Sequence, residues 1–346
     1  MSDVRVALIE RQPMNPSTVC RVLMMACAGL LVSACGGGGS DPVTTPTPVT
    51  PVTPVTPVTT TCPPLQLLDQ TGACVPMYAV LPDAATCRAG TLSEAARQNA
   101  LSAINQMRQL HGLDAVTYDR ASDDLVMNAS LMMLANGTLD HAPPATWTCY
   151  SAAGATGAGT SNLAGTGAST PPEGDFILWL TDMVSLGPNV LGHRRWLLDP
   201  FLNKIAYGRA DRGTSAFGGM SAVRVINDTA APTVSAAFVA YPFHDYPAKY
   251  HAQGALLSFS VVADSQNKSA SANVDFSAAQ IAVVRRGGGA VGVSSVSHDN
   301  GWYGLPNNLQ FSIGTLAYNT IHDVTISNVR VGGVVRSYSY WFRVVQ

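Results

Sequence analysis

The stretch Leu191-Gly192-His193-Arg194-Arg195-Trp196-Leu197-Leu198 stands where the hydrophobic period of the chain changes. Before it, residues 176–184 fit a helix. After it, residues 204–208 and 222–226 alternate or are β-branched and read as strands. Upstream, Leu101, Ile104 and Met107 recur at helical spacing in a segment that should end near Leu110, with Gly112 placed where a left-handed cap is wanted. Thr91-Leu92-Ser93-Glu94 reads as the capping box of that helix, the threonine hydroxyl and the glutamate carboxylate each satisfying an orphan amide. A second helix is predicted over residues 123–135, with Leu125, Ala129, Met132 and Ala135 on one stripe and Asn136-Gly137 as its stop. Residues 150–172 are mostly Gly, Ala, Ser and Thr and are expected to form a long loop. Helices mixed with a few antiparallel strands place this part of the chain in the α+β class.

From about Thr233 the pattern is different. Residues 256–262, 281–285, 309–313, 324–331 and 338–345 are short β-rich runs separated by Gly, Asn and Pro, the spacing of an all-β sandwich. The run Tyr338-Ser339-Tyr340-Trp341-Phe342-Arg343-Val344 partly alternates and resembles the last strand of an immunoglobulin-like or fibronectin-like module.

The N-terminus reads as an address. Residues 22–32 are apolar and uncharged, too short to span a bilayer, and follow Arg21, as in a signal peptide. They end in Leu31-Val32-Ser33-Ala34-Cys35-Gly36, which looks like a lipobox, so residues 1–35 are expected to be a lipoprotein signal with Cys35 as the lipidated residue. Asp3 and Glu10 are unusual in such a signal, so translation starting at Met14 is an alternative. Buried acyl CH₂ groups contribute about 0.8 kcal/mol each, so a cysteine carrying two or more chains would anchor stably. The expected location is the cell envelope, bound to membrane by lipid, and the outer membrane in a Gram-negative cell because Gly36 stands where an aspartate would signal retention. Residues 36–61, rich in Gly and then in Pro-Val-Thr triplets, lack the side chains to build a core and predict a tether. Its polyproline II rise of about 3.1 Å per residue would hold the folded part away from the membrane.

Beyond the tether, residues 62–86 form a small cysteine-bearing segment before a domain over residues 87–228 and a sandwich over residues 233–346. Of seven cysteines, Cys62, Cys74, Cys87 and Cys149 follow the tether. Four allow three pairings, and the short loop between Cys62 and Cys74 makes Cys62 with Cys74 and Cys87 with Cys149 the simplest partition, expected for an exported chain. Charged residues make up 12% of the sequence and the formal net charge is -2, which leaves no footprint for nucleic acid as a partner.

Residues 87–228 also carry an ordered set of short motifs: Ile104-Asn105-Gln106-Met107-Arg108 with Gly112-Leu113, then Leu139-Asp140-His141, Ser161-Asn162-Leu163-Ala164, Trp179-Leu180-Thr181-Asp182, Gly192-His193-Arg194-Arg195 and Ile205-Ala206-Tyr207-Gly208. Together they resemble the CAP superfamily of cysteine-rich secretory proteins, antigen 5 and pathogenesis-related proteins, in its bacterial branch. The resemblance implies an α-β-α sandwich and a central cleft where two histidines meet two acidic residues. The matching positions are His141, His193 and Asp182, while Ser161 stands where the other acid ordinarily precedes the Asn-Leu-Ala run. It further implies a binding or signalling role more readily than catalysis, with a lipid, sterol, glycan, protein or other cell-envelope ligand.

Read by chemistry alone, His141 and His193 could offer neutral imidazoles to a divalent metal such as zinc. Equally, the rings could simply hydrogen-bond to Asp182, Ser161 and backbone. A hydrolase, metal-dependent or not, is the alternative function, since Ser161, a histidine and Asp182 are the parts of a nucleophilic triad. Ser161 lacks the Gly-x-Ser-x-Gly elbow that would expose it, which counts against that reading. Arg194 and Arg195 are expected to make salt bridges or cap a turn rather than bind an anion.

Overall fold

A computed structural model describes residues 61–346 apart from 184–190, 213–217 and 228–232, so the signal, lipobox and tether readings lie outside the described residues. Helix α1 (Glu94–Leu110) starts at Ser93, whose hydroxyl accepts from the Ala96 amide at 3.2 Å, and ends before Gly112 at φ +66°. The cap is therefore two residues later than the expected capping box: Thr91–Leu92 pairs as a strand with Tyr78–Val80, and Glu94 bonds Arg120 and Gln98 instead. Ala96, Ala100, Ala103, Ile104 and Met107 line its buried face.

Helix α2 (Asp123–Asn136) stops at Gly137 in the left-handed conformation, as the Asn-Gly pair predicts. Its burial is wider than the single stripe expected, since every residue from Val126 to Leu134 except Asn128 is buried. The reason is α3 (Ala152–Gly159), which occupies part of the segment expected to be a loop and packs along α2. The Ser151 hydroxyl caps α3 by accepting from the Gly154 amide at 3.0 Å. Composition misleads here because small residues are what the packing demands: a Cβ on Gly157 would lie 2.1 Å from the Leu125 carbonyl oxygen. The strand Ser161–Thr166 follows, and α4 (Pro172–Thr181) and α5 (Gly192–Leu197) complete the α-helices among the described residues.

A four-stranded sheet runs in the order Thr117–Tyr118, Lys204–Asp211, Gly219–Arg224, Ser161–Thr166, its first pair parallel and the others antiparallel. Its side chains alternate between two cores. Ala206, Ala210, Met220, Ala222 and Leu163 pack under α2 and α3, whereas Ile205, Tyr207, Val223 and Ala164 pack with Ile104, Met107, Phe176 and Trp179 of α1 and α4. This is a helix-sheet-helix arrangement with a core on each face. Gly208 lets α2 approach the sheet, because a Cβ there would meet Val126 backbone at 2.4 Å.

The C-terminal region is sheet-rich. One sheet orders His244–Pro247, Val334–Val345, His322–Val331, Gln280–Arg285 and Ala290–Val291, with Val274–Asp275 paired to His322–Val331. The other orders Ser294–Asp299, Asn308–Ser312, Leu257–Val261 and Phe238–Tyr241. Phe259 and Phe311 from one sheet and Val283, Ile326, Tyr340 and Phe342 from the other share a single apolar core.

Disulfides join Cys62 to Cys74 and Cys87 to Cys149. Thr59–Gln346 forms one compact unit, and the core around α1 extends to Val239, Tyr241, Tyr246, Tyr250 and Leu305 of the C-terminal region. Two buried arginines are satisfied within the fold. Arg209 bonds Asp175, Asp211, Thr166 and the Gly167 carbonyl, while Arg108 donates to the carbonyls of Asp114, Leu197, Asp199 and Leu202.

Candidate functional site

The end of α4 builds the site. Trp179, buried at the last turn, donates from Nε1 to the Leu163 carbonyl at 3.0 Å and fastens the helix to the strand Ser161–Thr166. The next residue after the helix, Asp182, takes the left-handed conformation (φ 51°, ψ 37°), which a short polar side chain tolerates better than most. Its buried carboxylate then faces the first turn of α5: Oδ1 accepts from His193 Nδ1 at 2.9 Å, and Oδ2 accepts from the Arg194 amide at 3.2 Å. The carboxylate can only accept, so His193 Nδ1 carries a proton, and in the neutral tautomer this leaves the lone pair on Nε2.

His141 lies on the segment that follows α2. Its Nδ1 donates to the Ala158 carbonyl at 2.9 Å, which selects the same tautomer in the neutral ring. His141 is exposed as a residue, yet desolvation of its ring, and repulsion from the nearby His193, hold its pKa below the usual histidine value, while the Ala158 bond opposes them. The two imidazoles are therefore electrostatic neighbours, each with Nδ1 committed to a protein acceptor.

Ser161 is the first residue of its strand and is buried, but its Oγ has no hydrogen-bond partner. Strand alternation puts it on the face of Leu163, which packs under α2. The neighbouring Asn162, on the face of Ala164, is the residue tied to the site, donating from Nδ2 to the His193 carbonyl at 3.0 Å. Asn162 belongs to the motif quoted from the sequence, yet nothing in its spacing says that its side chain rather than that of Ser161 reaches His193.

Arg194 is the second residue that sequence reasoning undervalued. Its guanidinium donates to the Leu180, Thr181 and Leu256 carbonyls, and it lies 3.7 Å from the Tyr241 ring centroid. Arg195 pairs with Asp299 and donates to the Gly301 and Leu305 carbonyls. A signal was present: two arginines inside the apolar run Leu191 to Leu198 must be buried, and a buried guanidinium needs acceptors.

The donor set does not fit a resident zinc ion. Among the described residues no group of three or more His, Cys, Asp or Glu side chains is arranged to hold a metal. Both Asp182 oxygens are already engaged, and two imidazoles alone fall short of what a zinc site needs. A groove of about 570 Å³ lies on the outer side of α1, lined by residues including Leu101, Ser102, Gln106, Gln109 and Leu113. It includes none of His141, Ser161, Asp182 or His193, so it is separate from the histidine chemistry.

Residues 101–225 match the cysteine-rich secretory protein family, CAP. The chain carries a CAP domain. The match opens within α1 and closes just past the strand Gly219–Arg224, and His141, Asn162, Asp182 and His193 all fall inside it. No curated protein matches the chain. The CAP domain thus brings Asp182, His193, Asn162 and the Arg194 amide into one hydrogen-bonded set with His141 beside it, while Ser161 makes no hydrogen bond to them.

Proposed function

We propose that this protein is a cell-envelope lipoprotein, anchored through Cys35 and held off the membrane by its Pro-rich tether. Its CAP domain acts as a non-enzymatic module that binds a lipid, sterol, glycan or protein ligand. The C-terminal sheets serve as an immunoglobulin-like or fibronectin-like module beside it. The observation that carries the binding reading is the buried Ser161 hydroxyl without a hydrogen-bond partner. A serine nucleophile needs a base within hydrogen-bond reach, and the base in turn needs an orienting acid. Here the acid orients His193, but Ser161 has no bond to either ring. The Nε2 atoms of two imidazoles beside a hydrogen-bonded carboxylate instead offer polar partners to a ligand.

The test uses residues 62–346 titrated with zinc and then with phosphatidylethanolamine and phosphatidylglycerol vesicles, repeated with His141→Ala and His193→Ala. Binding lost in both variants supports the cleft. Turnover of peptidoglycan or a peptide that disappears with the same substitutions would replace this reading with a hydrolase. For the anchor, Cys35→Ala should abolish incorporation of radiolabelled palmitate and release the protein from the membrane fraction.

A further inference from the structure

We infer that Arg194 is a positioning residue that makes the Asp182–His193 geometry depend on the C-terminal sheets being docked against it. The inference rests on the reading of these residues as a binding cleft and concerns how that cleft is held in shape.

An α-helix leaves the carbonyls of its last turn without partners inside the helix. At the end of α4 two of these, Leu180 and Thr181, accept from Arg194 Nε at 2.6 Å and from its Nη2 at 2.8 Å. The amide of the same residue donates to Asp182 Oδ2. Arg194 therefore holds both the peptide planes that lead into Asp182 and the carboxylate that orients His193.

The rest of the guanidinium belongs to the C-terminal region. Nη1 donates to the Leu256 carbonyl at 2.7 Å and to Ser258 Oγ at 3.2 Å, and the Tyr241 ring lies under the cation. Ser258 and Tyr241 are direct partners on adjacent strands, and the Tyr241 hydroxyl is fixed by the Tyr250 carbonyl at 2.9 Å. Arg194 is 1% exposed and has no carboxylate ion-pair partner among the described residues, so carbonyls, a hydroxyl and an aromatic face are its direct partners. Withdrawal of the C-terminal sheets would remove half its partners and open the guanidinium to water, which it can reach fully only by leaving the end of α4. A guanidinium turning toward water gives up the Leu180 and Thr181 carbonyls, and its movement would release the end of α4 and with it Asp182.

The experiment reads the His193 Nδ1 proton directly. In the full chain, uniformly ¹⁵N-labelled at its seven histidines, that proton is assigned by its loss in His193→Gln, and its exchange with water is timed. Ser258→Ala removes one C-terminal contact of Arg194 and Tyr241→Leu another, the latter together with the bond to Tyr250 and the ring contact with His111, and neither side chain bonds Asp182 or His193. Each should speed the exchange by about tenfold, as expected when a local bond opens more often. Arg194→Lys, which cannot span both sets of acceptors, should speed it further. A wild-type exchange rate in Tyr241→Leu, alongside faster amide exchange in the strand Phe238–Tyr241, would overturn the inference. If Tyr241→Leu does not fold, Ser258→Ala decides alone, acceleration supporting the coupling and a wild-type rate refuting it. The readout is a proton of the free protein, so it can fail while the ligand titration succeeds, and the reverse.

Discussion

Acid should loosen the contact between the CAP domain and the C-terminal sheets through His111, and His111→Asn should remove that part of the pH dependence. His111 is 3% exposed. Its Nδ1 donates to the Ala240 carbonyl at 2.7 Å and its Nε2 accepts from the Tyr246 hydroxyl at 3.2 Å, so the ring has no room for a second proton. Burial above all, aided by the charges of Arg194 and Arg108 and opposed by the Ala240 bond, pushes its pKa down to about 3 from the usual 6.5. Above the unfolded value both states are neutral and the group contributes nothing to the pH dependence. Below it, the unfolded chain binds a proton that the folded state refuses until about pH 3, so stability falls as pH falls. Each pH unit costs about 1.4 kcal/mol, or about 3 kcal/mol between pH 6.5 and about pH 4.

Urea unfolding followed by tryptophan fluorescence at about pH 7.5, 6, 5 and 4 measures this directly. The asparagine amide can keep the bond to Ala240 but strands the Tyr246 hydroxyl, so the variant should start about 1–3 kcal/mol less stable at neutral pH. On acidification the difference should shift by about 3 kcal/mol in favour of the variant, so that the two curves meet or cross. His251, held at about 4 by burial and by Arg194, adds a slope of the same sign that is common to both proteins and cancels in the comparison. Curves that stay parallel over the whole range would refute the argument, because His111 would then take up its proton equally in both states.

Three further outcomes are expected. Replacing Cys87 and Cys149 by serine releases a loop of sequence separation 62 and should cost about 4 kcal/mol, against about 3 kcal/mol for Cys62 and Cys74 at separation 12, both measured by denaturant unfolding. Gly157→Ala forces a methyl group against the Leu125 carbonyl and should cost about 1–3 kcal/mol, seen as a lower thermal midpoint. Arg209→Met leaves the buried carboxylates of Asp175 and Asp211 without their cation and should cost about 3–5 kcal/mol by the same assay.

Much of the backbone is legible in the order of residues. The period of Ile104 and Met107, the stop at Asn136-Gly137 and the β-branched runs beyond Thr233 each specify an element locally, because side-chain period and turn chemistry act over a few residues. The capping position and α3 were not legible. Thr91 is drawn into a strand by Tyr78–Val80, and the Gly and Ala residues of α3 look like loop until α2 lies against them. A propensity describes a residue alone, and close backbone packing reverses the penalty for glycine.

The candidate site divides along the same line. His141, Asp182 and His193 can be picked out by residue type, since imidazole and carboxylate chemistry belongs to the side chains wherever they stand. Their partners cannot. Asp182 reaches His193 across eleven positions, His141 finds Ala158 across seventeen, and Arg194 finds Leu256 across sixty-two. Hydrogen bonds of a few Å between residues so far apart exist only after the sheet and helices have converged, and a one-residue slip of the strand Ser161–Thr166 would exchange Asn162 for Ser161. The chemistry available to the candidate site is thus written into its residue types, while the hydrogen-bond partners of the rings and of the paired arginines follow from packing.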